Sequence, residues 1–234
     1  IDINETKDIE HQLLEYSSPE KVFENDKSLT EEPDSNIYLF DLSETKPLTN
    51  EDKAVKIIEN EIQQKSDLSS DERIFYLDKV KEIAFGCQKC DLAEKRTQVV
   101  FGIGNPNSPI MIIGEGPGEQ EDKTGIPFVG KAGQLLDKIL ESANLIRDRD
   151  IYIANVVKCR PPGNRTPLQD EIAACSVFLQ KQLELSQAFI ILLAGSTALK
   201  ALIDPNASIT RQRGEWIEWK GKWVMPVFHP SYLL

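Results

Sequence analysis

The amino-acid sequence predicts an α/β fold: a three-layer α/β/α sandwich around a short, central, mostly parallel sheet. Three observations lead there. Short apolar runs rich in β-branched residues recur along the last two thirds of the chain. Amphipathic stretches with helical spacing separate them. The runs are apolar on both faces, as strands are when helices cover the sheet on each side.

Taken in order, residues 71–85 carry Ile74, Leu77, Val80, Ile83 and Ala84 at helical spacing and run into the polar loop "GCQKCDL" (86–92). The strand-like runs are "PIMIIG" (109–114), "IYIANVV" (151–157), "AFIILLAG" (188–195) and "WVMPVFH" (223–229). Helices are expected over 130–144, 166–185 and 195–203, the second capped by Thr166 before Pro167. "GEWIEWKGKWV" (214–224) alternates around Gly221 and reads as a hairpin, with Trp216, Trp219 and Trp223 as its packing rather than a stacking platform. In such sheets ligands gather at the carboxyl ends of the strands. Residues 114–118, Asn155, 195–197 and 229–231 should therefore share one rim.

Composition narrows the function classes. Of 234 residues, 40% are hydrophobic and 28% charged, enough for a globular core. The net charge of -11 argues against nucleic acid, but residues 1–70 hold 18 Asp and Glu against 7 Lys and Arg, leaving 20 of each in residues 71–234. We therefore expect an acidic, largely disordered extension over 1–70, with a helix around "EDKAVKIIENEIQQK" (51–65), and a catalytic domain over 71–234. The residues name no partner for the acidic tail. Neither a membrane-length apolar run nor a signal peptide is visible, so a soluble, cytoplasmic, nucleoid-associated monomer is expected. The chain starts with Ile1 and stops at Leu234 just after an apolar strand, and is expected to be truncated at its C-terminus.

Four cysteines stand out: Cys87 and Cys90 as C-x2-C, then Cys159 and Cys175. Inside a cell, metal ligation, catalysis or burial compete as explanations. Cys175 alone would read as core, whereas Cys87 and Cys90 lie in a polar loop. Four thiolates suit either a structural zinc or a 4Fe-4S cluster, and the wide spacing of the last two favours the cluster while leaving zinc open.

"GEGPG" (114–118) is a weak signal for phosphate binding. It lacks GxGxxG spacing and a P-loop lysine, and Glu115, Glu119, Glu121 and Asp122 would repel an anion. It suits a neutral ligand or a developing cation. Singly, Phe128 reads as core, Asn155 as a turn residue and His229 as a strand terminus.

Together, Cys87-x2-Cys90, "GEGPGEQED", "GIPFVGKAG", "NVVKCRPPGNRTP", Cys175 and the terminal "HPSYLL" resemble the family 4 uracil-DNA glycosylases, the iron-sulfur branch of that superfamily. The resemblance covers roughly residues 75–234 and six motifs in order. It implies a uracil-DNA glycosylase-like sandwich and a monofunctional DNA glycosylase. Such an enzyme flips uracil from single- or double-stranded DNA and hydrolyses the N-glycosidic bond, leaving an abasic site for base excision repair. It also implies a 4Fe-4S cluster on Cys87, Cys90, Cys159 and Cys175. Gly114, Glu115, Gly116 and Pro117 then line the uracil pocket, Phe128 stacks on the base, Asn155 reads its edge and His229 faces the leaving uracil. Better-known superfamily members carry Asp where this chain has Gly116, so Glu115 becomes the expected catalytic acid, with Glu121 second or as a block to the thymine methyl. For DNA binding we expect Lys158, Arg160, Arg165, Arg211 and Arg213 at phosphates, and Tyr232 and Leu233 as a wedge. Competing readings are a relative acting on other deaminated bases, a non-catalytic binding module, or a nucleotide-binding domain. The covalently binding branch carries a histidine near "KCRPPGNRTP", which this chain lacks.

Overall fold

The computed structural model describes residues 47–65 and 67–234. Six strands form one sheet in the order β1-β3-β2-β4-β6-β5: β1 (Ile103–Gly104), β2 (Ile110–Gly114), β3 (Ile151–Asn155), β4 (Ile190–Ala194), β5 (Ile217–Trp219) and β6 (Lys222–Val227). The inner strands β3, β2, β4 and β6 are mutually parallel, and each edge strand pairs antiparallel with its neighbour. The helices are α1 (Asn50–Gln63), α2 (Ser70–Phe85), α3 (Leu92–Lys95), α4 (Glu119–Thr124), α5 (Lys131–Ser142), α6 (Arg147–Asp150), α7 (Gln169–Leu185), α8 (Ser196–Leu202) and α9 (Ile209–Gln212). Among the described residues no helix is long and apolar enough to cross a membrane.

Successive strand residues point to opposite faces, and both faces are buried. Met111, Ile113, Tyr152, Ala154, Ile191 and Leu193 join a core with Val80 of α2, Phe178 of α7 and Leu199 of α8. Ile112, Ile151, Ile153 and Ala194 pack instead with Phe128 and with Leu136 and Leu140 of α5. The three layers expected from the two-faced apolar runs are thus present.

Local chemistry sets the element ends. Thr49 with Asp52, and Ser69 with Glu72, form capping boxes at the starts of α1 and α2. Lys220 and Gly221 both take positive φ, 49° and 71°, matching a tight primed turn between β5 and β6. The expected cap at Thr166 is corrected: α7 begins at Gln169, and the Glu171 carboxylate accepts the Leu168 N–H at 2.7 Å. Thr166 precedes a proline, and that position disfavours helical backbone.

The expected extension over 1–70 also needs correction at its end. Val55 and Ile58 of α1 lie 1% and 4% exposed in the main core. Ion pairs tie α1 to its neighbours, Glu61 to Lys79 at 3.0 Å and Glu59 to Lys181 at 2.9 Å. The polar stretch 17–36 and His11 lie outside the described residues.

Candidate active site

Strand register brings the glycine turn and the C-terminal histidine together. Gly114 at the end of β2 pairs with Asn155 at the end of β3, and Ala194 at the end of β4 pairs with Val227 of β6. The loops leaving these ends surround a cleft of about 440 Å³ whose lining includes Glu115, Gly116, Pro117, Phe128, Asn155 and His229. Its size suits a small-molecule ligand.

Asn155 sits at the bottom, 2% exposed, and its side-chain Oδ1 is buried with no partner among the described residues. Leaving such an acceptor unpaired is costly, so the position is set for a ligand donor. Gly114 permits the close approach: a Cβ there would stand 2.4 Å from Asn155 Oδ1 and 2.7 Å from Phe128 Cζ. The buried Phe128 ring lies 5.5 Å, centroid to centroid, from the His229 ring. Gly195 makes room for the histidine, since a Cβ there would lie 3.1 Å from His229 Cβ.

The histidine's proton can be located. The Ser231 backbone N–H donates to His229 Nδ1 at 3.2 Å, and the Ser231 hydroxyl lies 2.7 Å from the same atom. An N–H can only donate, so Nδ1 is the acceptor and the neutral ring carries its proton on Nε2. Burial lowers the His229 pKa, partly opposed by the nearby Glu121 carboxylate.

Glu115 accepts a hydrogen bond from the Thr197 hydroxyl through Oε2 and has no other side-chain partner among the described residues. Glu121, expected as the second catalytic acid or as a block to the thymine methyl, also lines the cleft, and backbone N–H groups engage its carboxylate. Its Oε1 accepts the N–H groups of Val129 and Gly130 at 2.8 and 2.7 Å, and its Oε2 accepts that of Gly118 at 3.1 Å. The carboxylate stitches the start of α4 to the start of α5.

The basic residues fall unevenly. Lys158 is 1% exposed, with Nζ donating to the Asn155 carbonyl at 2.6 Å and to Gln182 Oε1 at 2.5 Å, so the expected phosphate contact is corrected. Burial pushes its ammonium down to about 8. Arg165 is held by both oxygens of Glu171, and Arg160 by Asn164 at 2.8 Å and Glu119 at 3.7 Å. Arg211, Arg213 and, on the cleft lining, Lys131 are exposed. Tyr232 and Leu233 project at 72% and 56% exposure from the turn Pro230–Leu233, with Tyr232 against Phe228 and Arg213 on that ring's other contact at 4.8 Å.

A second, enclosed pocket is lined by Cys87, Cys90, Cys159 and Cys175, together with Arg96 and Lys158. All four cysteines are free thiols. Among the described residues no group of three or more His, Cys, Asp or Glu is set to hold a metal ion. N–H groups aim at the sulfurs: Lys89 backbone to Cys87 at 3.5 Å, Lys158 backbone to Cys175 at 3.3 Å, and Arg96 Nη1 to Cys159 at 3.4 Å. Burial raises all four thiol pKa values, Cys87 to about 11 and Cys175 to about 12. Donors aimed at sulfur are the outer contacts that sulfur ligands of a metal group carry.

Thr197, Ser231 and Arg147, whose Nη1 donates to the Phe128 carbonyl at 2.8 Å, were not singled out from sequence. Thr197 and Ser231 lie on the expected rim, whereas nothing in "LIRDRD" marks Arg147 as more than a surface charge.

Comparison with known proteins adds a separate finding. The profile of the Uracil DNA glycosylase superfamily matches residues 101–234. A Type-4 uracil-DNA glycosylase of Thermotoga maritima is 52% identical over 157 residues, covering 66% of this chain and 81% of that protein. A Type-4 uracil-DNA glycosylase of Sulfurisphaera tokodaii is 44% identical over 167 residues, covering 68% and 76%. A Type-5 uracil-DNA glycosylase of Pyrobaculum aerophilum is 31% identical over 146 residues, covering 56% and 64%.

Proposed function

Because the chain belongs to the uracil-DNA glycosylase superfamily and is most like its type-4 members among the relatives above, we propose that it is a uracil-DNA glycosylase acting in DNA repair. It hydrolyses the N-glycosidic bond of deoxyuridine in DNA, releasing uracil and leaving an abasic site. The observation that carries the reading is the buried, unpaired Oδ1 of Asn155 at the base of a cleft walled by Phe128 and His229.

A glycosidic bond inside a duplex is inaccessible, so the nucleotide swings out into the cleft. Its ring stacks on Phe128. Its N3–H donates to Asn155 Oδ1 and its O4 accepts from the same amide, a pattern cytosine reverses. Gly114, Gly116 and Pro117 let the base lie close to backbone. As the bond breaks, negative charge gathers on uracil O2 and positive charge on the sugar. The neutral His229 meets the first with its Nε2–H. Glu115, oriented by Thr197, meets the second and positions the attacking water. Lys131, Arg211 and Arg213 contact phosphates, while Tyr232 and Leu233 fill the gap left by the base.

Cys87, Cys90, Cys159 and Cys175 would hold a 4Fe-4S cluster, which supplies a covalent tie between three chain segments rather than a reactive centre. On this reading the base reader Asn155 and the sulfur ligand Cys159 are four positions apart.

The test is incubation with single- and double-stranded oligonucleotides carrying one uracil, followed by alkaline cleavage. Scission at the uracil position is expected. Intact strands from iron-replete protein would sink the proposal.

A further inference from the structure

We propose that Arg147 is the positioning residue for the aromatic wall of the pocket; the inference rests on the reading that the flipped base stacks on Phe128. The backbone of Phe128 has φ 54°, in the left-handed region. A bulky side chain adopts that conformation only when its surroundings impose it. Arg147 imposes it here. Its Nη1 donates to the Phe128 carbonyl at 2.8 Å, and its Nη2 donates to the Pro127 carbonyl. Nη1 also bonds Asp137 Oδ1 on α5 at 2.8 Å. The planar guanidinium fork can span two successive carbonyls and a carboxylate, which the point charge of a lysine cannot.

The packing closes from the other side. Gly133 of α5 lies so near the turn that a Cβ there would stand 1.9 Å from the Phe128 carbonyl oxygen. Backbone of α5 and the fork from α6 therefore grip the same peptide. With the peptide fixed, the ring is held against Gly114 and beside His229. Arg147 is not among the residues lining the cleft, so its effect on the base is indirect and runs through the turn that carries Phe128.

Without the fork, the turn relaxes toward an ordinary φ and the ring swings from its station. Seating of the base then suffers while grip on the DNA backbone does not. A residue that only stabilised the fold would lower the melting temperature without changing how each folded molecule holds uracil.

The experiment uses the full-length protein and its Arg147→Ala, Arg147→Lys, Phe128→Ala and Arg147→Ala/Phe128→Ala variants. Three quantities are read: inhibition by free uracil, the single-turnover excision rate, and affinity for an oligonucleotide carrying a stable abasic-site analogue. Arg147→Ala is expected to weaken uracil inhibition and slow excision on the order of tenfold each, the scale of one base–aromatic contact. Abasic-site affinity should stay unchanged. The double variant should lose no more than Phe128→Ala alone, because both act on one contact. Arg147→Lys should lose uracil inhibition too, and it serves alone if the alanine variant does not fold. Wild-type uracil inhibition in the Arg147 variants, with inhibition lost in Phe128→Ala, overturns the proposal. Unchanged inhibition in Phe128→Ala overturns the stacking reading beneath it.

Discussion

Burial lowers the pKa of His229 below its ordinary value of 6.5, with Glu121 pulling the other way. The unfolded chain therefore takes up this proton first as pH falls. The stability associated with the neutral ring is complete above about 6.5 and is lost as pH drops through the lower folded value. Protonation would also put a second N–H at Nδ1, facing the Ser231 N–H that orients the ring. The single-turnover rate is thus expected to be flat through neutrality and to fall on the acid side of the ordinary histidine range; a rate that rises there would make imidazolium the donor. His229→Ala should slow excision by about 10²–10³, the scale of one lost donor to a developing anion, with abasic-site binding little changed. Strand ends and the order of the motifs pointed to His229, Asn155 and Phe128, and the structure brings these three to one cleft. Lys158 was misread because a lysine in a proline-rich loop looks exposed. The signal against that reading is that it continues the two-faced apolar run 151–157 into Cys159.

Elements were legible wherever apolar periodicity was long, as in α2, α5 and the four parallel strands. The two-residue β1 has no pattern to read, since its place is set by pairing with β3. The packing of α1 was hidden by acidic composition averaged over the first 70 residues, although Val55, Ile58 and Ile62 already formed a stripe. Ile58→Ala should lower stability by about 2–4 kcal/mol, measured by urea unfolding, because it opens a cavity in the main core. An unchanged midpoint would detach α1 from that core. Glu121 works at the junction of two elements. Replacing it by alanine removes the acceptor of three backbone N–H groups at the starts of α4 and α5 and should cost about 2–4 kcal/mol. If Glu121→Ala instead kept its melting temperature and began to excise thymine, the carboxylate would be a methyl gate after all.

For the molecule as a whole, charge and glycine placement matter more than any one contact. Residues 71–234 are electrically balanced, and most basic groups near the cleft already have acidic or buried partners. With Lys131, Arg211 and Arg213 exposed, the logarithm of DNA affinity should fall with the logarithm of salt at a slope of about −3, near −0.9 per phosphate neutralised. A much steeper slope in a salt titration would reveal phosphate contacts elsewhere. Cys159→Ala should abolish absorbance near about 400 nm from the iron-sulfur chromophore, and a colourless zinc-containing wild type would refute the cluster. The same global view bears on Gly114. The Asn155 amide and the Phe128 ring close on one backbone position, and they can do so only because it carries no side chain. An alanine at 114 would have to push both apart, since its Cβ would fall 2.4 Å from Asn155 Oδ1 and 2.7 Å from Phe128 Cζ. A single hydrogen at this turn thus sets the separation of two cleft walls that come from distant parts of the chain.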